Sequence, residues 1–446
     1  MTEFAHDAQM YHTAQIVLAG MTVCCLALWI VGRALFKVNI PLALNLFISA
    51  AVGAVVGGFG IPWRHLIEGP MYYIYINLVI FTALIMLQVM KENGQMEAIA
   101  WDILVCFRQR PFFLFMLLML MVYFPGMVTG VGAAAVLSTG VIVAVILRAV
   151  GLPPLETGAM LAVWSTFGAA APPVNLPALI ISGGLNMPFD GFTQILLVLA
   201  VPPGLFAFWY LGYKYFKVIT PEEINRILPV PQRAFLLQPY LPILTILVIF
   251  LAISFFPRQM PDLVSPLVFM IGALVAFASG RRINFFMASS RAMGGRLFGV
   301  VAVFFVVGSV VQVMTLTGVK GYLVISIFTL AAVSPVLLYL MMGFGIPLLG
   351  GTITHLGVSA VLAVPFAFAL LTSNTIVIVS CLAMFCMMSQ IIPPSALGGY
   401  TSQDVVGLPS YTPILKRCTV PALVAIGWTI VVMIFAKQFA EIFVPY

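Results

Sequence analysis

Apolar residues fill this chain in long runs. Such runs cover roughly 13–32, 39–59, 71–90, 193–213, 238–256, 264–280, 297–314 and 420–436. Each is near the ~20 residues a helix needs to cross a bilayer. Between them, 111–186 and 322–400 are apolar stretches interrupted by Gly and Pro. The pattern predicts an all-α polytopic membrane protein with some broken segments. The opening Met1-Thr-Glu-Phe-Ala-His-Asp lacks the basic stretch of a cleaved signal peptide, so the first helix is expected to stay.

The interruptions are paired. Gly168-Ala-Ala-Ala-Pro172-Pro173-Val-Asn175 has a counterpart in Ser389-Gln-Ile-Ile-Pro393-Pro394-Ser395, shifted by 221 residues. At the same shift Gly130 falls on Gly351, Ser138 on Ser359, Leu161 on Leu382 and Ala162 on Ala383, with no gap between 129 and 175. Upstream, Gln88-Val-Met90 with Gly94 reappears as Gln312-Val-Met314 with Gly318, shifted by 224. Paired breaks in corresponding apolar segments point to a transporter's binding site.

Composition supports the class. Of 446 residues, 63% are hydrophobic and 7% charged, with mean hydropathy +1.15. A soluble domain carries about 25% charged residues. The net charge of +7 could suggest nucleic acid, but its distribution argues otherwise. With the N-terminus outside and helices alternating, 16 of the 20 Lys and Arg fall in inside loops. Only Arg64, Arg258, Lys320 and Lys437 lie outside. The charge thus follows the positive-inside rule. In this orientation helix 71–90 ends inside and its counterpart 297–314 ends outside, so the two repeats are inverted, as in many secondary transporters.

The predicted organisation follows. Residues 1–70 hold two N-terminal helices. The first repeat, 71–213, has an amphipathic stretch at 95–108, a re-entrant hairpin at about 111–147 and a broken helix at about 154–186. Residues 214–296 form a connecting loop, two scaffold helices and an amphipathic segment. The second repeat, 297–436, has a hairpin at about 322–370 and a broken helix at about 376–400, and 437–446 is a tail. The hairpin tips are expected at Pro125–Gly132 and Gly345–Thr352.

Proline removes a backbone donor and frees carbonyls. Freed carbonyls and hydroxyls suit Na⁺, and positive half-helix ends suit an anionic substrate. The first expected site gathers Thr129, Gly130, Gly132, Ser165, Thr166, Gly168, Pro172, Pro173 and Asn175. The second gathers Gly350, Gly351, Thr352, Thr354, His355, Ser389, Pro393, Pro394 and Ser395. Membrane-helix hydroxyls ordinarily bond their own backbone, which makes Asn175 the better ligand candidate. His355 could carry a proton or simply pack. Ser373-Asn374-Thr375 reads equally as a cation site or a turn. Asp190, Glu222, Glu223 and Asp404 fall in predicted loops. The six Cys form no disulfide framework. No phosphate loop, metal-spaced cluster or paired buried carboxylate suggests an enzyme or a cofactor, so an ion gradient is the expected driving force.

These residues resemble the large membrane subunit of tripartite ATP-independent periplasmic (TRAP) transporters, in the ion transporter superfamily. Val38-Asn-Ile-Pro41-Leu-Ala-Leu is similar to the family's early helix motif, and Thr129-Gly-Val-Gly132-Ala-Ala-Ala to its small-residue hairpin segment. Gly168-Ala-Ala-Ala-Pro172-Pro173, Val201-Pro-Pro203-Gly204 and Gln390-Ile-Ile-Pro393-Pro394-Ser395 resemble its proline motifs. The likeness spans about 38–436. It implies two inverted repeats, Na⁺ coupling and uptake of an organic acid such as a C4-dicarboxylate. It also implies a small membrane subunit, a periplasmic solute-binding protein and a bacterial inner membrane. Val174-Asn175 stands where the family usually has Ser, and Thr354-His355 where it has Asp-Pro. A stand-alone Na⁺- or H⁺-coupled anion carrier is the alternative, and a non-transporting scaffold a third reading.

Overall fold

The structure, a computed structural model, describes residues 2–34, 40–256, 263–280, 283–292, 294, 296–370 and 374–444. Val38, Asn39, Arg258 and Ser373, named above, lie outside the described residues, as do some of the Lys and Arg counted in the inside loops. All described secondary structure is helical. Among the described residues seven helices are long and apolar enough to cross a membrane, including Gln9–Gly32, Ile74–Glu92, Thr193–Tyr215 and Thr412–Ile434. An eighth span would be Val301–Leu316 with Val319–Ile327, bent by 78°. The chain is a multi-pass membrane protein.

Three expected spans are shorter than their apolar runs. Leu42–Val56, Leu241–Phe255 and Ser265–Ser279 have 15 residues each. At 1.5 Å per residue each extends about 22 Å, short of the ~30 Å core. The first starts after Pro41 and stops where Gly58 and Gly60 take positive φ (82° and 63°).

The same order of elements occurs twice. Ile74–Glu92, Gln95–Phe107 and the first hairpin, whose leading arm is Pro111–Thr129, match Arg296–Leu316, Val319–Val333 and a hairpin starting at Pro335. Gly94 (φ 69°) and Gly318 (φ 73°) turn the chain at equivalent points. Proline opens both hairpins, where its missing N–H costs no helical hydrogen bond. Through this region equivalent residues are 224 apart.

The first hairpin turns at Gly130 (φ 65°, ψ 16°) and returns along Gly132–Ala149. The second turns at Thr354 (φ 71°, ψ 164°), again 224 residues on. This corrects the expected tip at Gly345–Thr352. It also trims the second hairpin from 322–370 to 335–369, because Val319–Val333 is a separate helix corresponding to Gln95–Phe107. Gly350 and Gly351 stay helical and make room for the second broken helix. A Cβ on Gly351 would lie 2.9 Å from the Pro393 carbonyl oxygen, and one on Gly350 2.7 Å from Ser389 Cβ. Past the turns, the broken helices start at Pro154 and Thr375, and their Pro-Pro pairs sit at Pro172 and Pro393. Those shifts are 221, so the ungapped match over 129–175 slips by three residues within the returning arm.

Proline-freed carbonyls find side-chain donors. Pro202 leaves Val198 O without its helical partner, and Trp428 Nε1–H donates to it at 2.8 Å. Among residues expected in loops, Asp404 belongs instead to the helix Leu397–Val406. Glu223 closes a capping box with Thr220. Asn374 caps the second broken helix through Val377 N–H at 3.1 Å, which makes that segment a helix start.

A strap formed by 213–240 crosses the base of the first hairpin. Lys217 N–H donates to Val150 O at 2.8 Å. Arg233 holds Asp102 bidentately at 2.6 and 3.0 Å, and Tyr240 Oη–H donates to Asp102 at 3.0 Å. The pair is largely shielded, with side-chain exposures of 18% and 14%, and bidentate geometry makes such pairs strong. Asp102→Ala is expected to free the strap and speed tryptic cleavage at Arg226 and Arg233 several-fold, with the helical core intact. Unchanged cleavage would show that the ion pair does not hold the strap.

Candidate functional site

The first broken helix runs Pro154–Ala170, opens at 171–175 and resumes as Leu176–Gly184. Both Pro-Pro bonds, Pro172–Pro173 and Pro393–Pro394, are cis. Asn175 spans the first opening. Its Nδ2–H donates to Ala170 O at 2.7 Å, and its Oδ1 accepts Ala178 N–H at 2.9 Å. Both ends of this amide therefore hold the two half-helices together. Asn175 is thus a brace and helix cap, and its Oδ1 keeps one further lone pair.

The first hairpin is fixed to this break. Val174 N–H donates to Met127 O at 3.1 Å. Gly126 and Gly168 let the helices meet backbone to backbone. A Cβ on Gly126 would lie 2.7 Å from Ala169 N, and one on Gly168 2.7 Å from Tyr123 Cα. The hydroxyls donate to their own helices: Thr129 to Pro125 O at 2.6 Å, Ser165 to Ala162 O at 3.0 Å and Thr166 to Ala162 O at 2.8 Å. A hydroxyl that has spent its proton this way still presents lone pairs, so back-bonding leaves the oxygens able to meet a cation. All three are fully buried.

The second broken helix runs Thr375–Met388, opens after a short turn at Ser389–Ile391 and resumes as Leu397–Val406. Ser395, the counterpart of Val174, likewise binds its own hairpin. Its N–H donates to Gly351 O at 2.8 Å and its Oγ–H to Gly350 O at 3.0 Å. Ser389 donates to Cys386 O at 2.7 Å. Here the freed carbonyls are partly spoken for, since Tyr411 Oη–H donates to Ile391 O at 2.7 Å.

The two broken helices meet close to their openings. Gly132 N–H donates to Gln390 Oε1 at 2.8 Å across 258 residues of sequence. A Cβ on Gly132 would lie 3.2 Å from Ser165 O. One on Gly398, at the start of the second half-helix, would lie 3.3 Å from Ser165 Oγ and 3.7 Å from Thr166 Oγ1. Gly132, Ser165, Thr166, Gln390 and Gly398 thus form one buried, uncharged cluster of carbonyls, hydroxyls and one amide. Gly350, Gly351, Ser389, Pro393 and Ser395 form a second cluster beside it. Thr352, half-buried, bonds Leu349 O at 2.6 Å. His355 stands apart, edge-on to Phe304 with ring centroids 5.7 Å apart. Its Nε2 is buried without a hydrogen-bond partner, and Ser359 Oγ–H donates to its carbonyl. Thr354 Oγ1 accepts Gly357 N–H at 3.4 Å.

Gln390, Gly398, Tyr411 and Met127 were not among the expected site residues. Gln390 had a local signal in the second proline motif and Met127 in the expected first tip; Gly398 and Tyr411 are brought in by distant packing. Among the described residues no three His, Cys, Asp or Glu side chains group as metal ligands. Glu156, at the start of the first broken helix, pairs with Arg417 at 3.4 Å.

Neither a protein-family model nor a curated protein matches the chain. Among solved structures it is similar to MtrF of Neisseria gonorrhoeae, described as illuminating a class of antimetabolite efflux pumps. The TM-score is 0.51 at 15% identity, over 82% of this chain and 83% of that one. At that identity the likeness is one of fold.

Proposed function

We propose that this chain is the carrier of a secondary active transporter in a bacterial inner membrane, N-terminus outside, moving a small carboxylate coupled to Na⁺. The observation that carries this reading is the meeting of two interrupted helices, each braced by a hairpin of its own half. Backbone interrupted at membrane depth is tolerated inside protein or along a watery cavity, and a scaffold has no use for two such breaks at equivalent positions. The two halves are read as inverted repeats, so that rocking one part against the other exposes the site alternately.

In this reading the hydroxyls of Thr129, Ser165 and Thr166, with turn carbonyls near Gly130, meet one cation. Ser389 and the carbonyls near Gly350 and Pro393 meet another. The substrate carboxylate lies between them, near the start of Leu397–Val406, where unpaired N–H groups favour negative charge. A small TRAP-type membrane subunit and a periplasmic solute-binding protein are the proposed partners, the latter delivering the acid. Fold likeness to an efflux pump supports a second reading, a stand-alone carrier that exports an acid without a binding protein.

The test is transport of labelled C4-dicarboxylates and sialic acid in proteoliposomes, in both directions, with and without a Na⁺ gradient and each partner. Uptake that needs Na⁺ and both partners is expected, and Ser165→Ala should raise the Na⁺ needed for half-maximal rate roughly tenfold, equivalent to about 1.4 kcal/mol of lost binding. Flux without any partner moves the chain to the stand-alone reading. No flux of any acid under any gradient would sink both.

A further inference from the structure

Gln390 is 1% exposed and belongs to the second half, yet it contacts the turn of the first hairpin. Only an oxygen can face the Gly132 N–H, so the amide orientation is fixed by its partner. Nε2 then lies 3.0 Å from Met387 Sδ, a weak acceptor. The contact also demands glycine opposite, because a Cβ on Gly132 would lie 2.7 Å from Gln390 Oε1. Gln390 O in turn lies 3.5 Å from the Cβ position of Gly398, beside Ser165. One side chain thus touches the turn that presents the first half's oxygens and sits on the break that shapes the second half's site.

We propose that Gln390 is a positioning residue. It holds the Thr129–Gly132 turn against Ser165, and so ties the first half's site to the state of the second break. The part of this that concerns coupling rests on the transport reading; the positioning itself does not. If the second break moves, Gly132 N–H loses its acceptor in a buried place, and the turn must reorganise. A ligand that holds one opening therefore favours the bound form of the other, and the effect is reciprocal.

The experiment is amide hydrogen exchange of the full chain in lipid nanodiscs, read on the peptide covering 130–135. Gln390→Leu, which keeps the bulk and removes the acceptor, is expected to speed exchange there roughly tenfold, as loss of one buried hydrogen bond does to a local opening. Gln390→Glu, which keeps an oxygen acceptor, should restore slow exchange. Gly132→Ala should match Gln390→Leu, and the double variant should exchange no faster than either single one, because both break the same contact. Unchanged exchange in Gln390→Leu would overturn the proposal. So would equal acceleration of every helix, or a Glu variant as fast as the Leu variant. In proteoliposomes, Gln390→Leu should raise half-saturation for Na⁺ several-fold with little change in maximal rate. A wild-type protein that ignores Na⁺ would refute the Na⁺-coupled reading while leaving the exchange result standing.

Discussion

Gly168→Val is expected to abolish recovery of a monodisperse, folded protein from detergent extracts. The added Cβ would sit 2.7 Å from Tyr123 Cα and 3.2 Å from Tyr123 O. Both are backbone atoms, which cannot swing aside as a side-chain tip can. Gly126 makes the reciprocal approach, 2.7 Å from Ala169 N and 2.8 Å from Gly168 C. Small residues that let helix backbones touch are the main adhesive between membrane helices. Separating this pair also strains the Met127–Val174 hydrogen bond, so the cost should exceed about 4 kcal/mol, the range of the most severe core substitutions. Gly183→Ala is the control, since nothing lies within 4 Å of its Cβ position. It should leave yield and melting unchanged or slightly improved, alanine being the better helix former by up to about 1 kcal/mol. A soluble, well-behaved Gly168→Val protein would mean that the first hairpin is not seated on the broken helix as described.

Asn175→Leu should lower stability by about 2–5 kcal/mol, because it strips two buried backbone groups, Ala170 O and Ala178 N–H, of their partners. Thermal unfolding followed by exposure of buried cysteines would read this as a fall in midpoint. Asn175→Asp keeps the oxygen that caps Leu176–Gly184 and loses only the donor to Ala170, so it should fall between wild type and Leu. A Leu variant with unaltered melting but no transport would return Asn175 to the role of cation ligand.

The sequence and the structure agree best where proline acts. Pro172-Pro173 and Pro393-Pro394 read as helix breaks, and breaks they are, because proline's effect is local and needs no knowledge of neighbours. Gly130 was legible as a turn for the same reason, with φ 65°. The second turn was not. Gly350-Gly351 offered the stronger turn signal, yet those glycines make room for residues about forty positions downstream, Gly350 for Ser389 and Gly351 for Ile392 and Pro393. The turn falls on Thr354, a β-branched residue at φ 71° and ψ 164°, a region essentially reserved for glycine and held only by its surroundings. No local pattern announces such a residue. Asn175 was singled out for its chemistry, and only the fold shows that both ends of its amide also hold the backbone of the break. Gln390 lay hidden behind 258 residues of separation from Gly132.

The three-residue slip between the hairpin turns and the broken helices bears on how two such halves diverge. Three residues turn a helix by about 300°, leaving it some 60° short of a full circle. A returning arm that differs by three residues therefore presents a rotated set of side chains to the same neighbours. Each returning arm also contains a wide π-helical stretch, Val136–Gly140 in one and Ser359–Ala363 in the other, the local form in which a helix absorbs an extra residue. If the halves descend from one duplicated segment, a change in length alone would have made two originally identical pockets unlike, with no ligand residue replaced. Engineering that copies a residue from one tip to the other should therefore count back from the Pro-Pro pair for the broken helix, and forward from the opening proline for the turn.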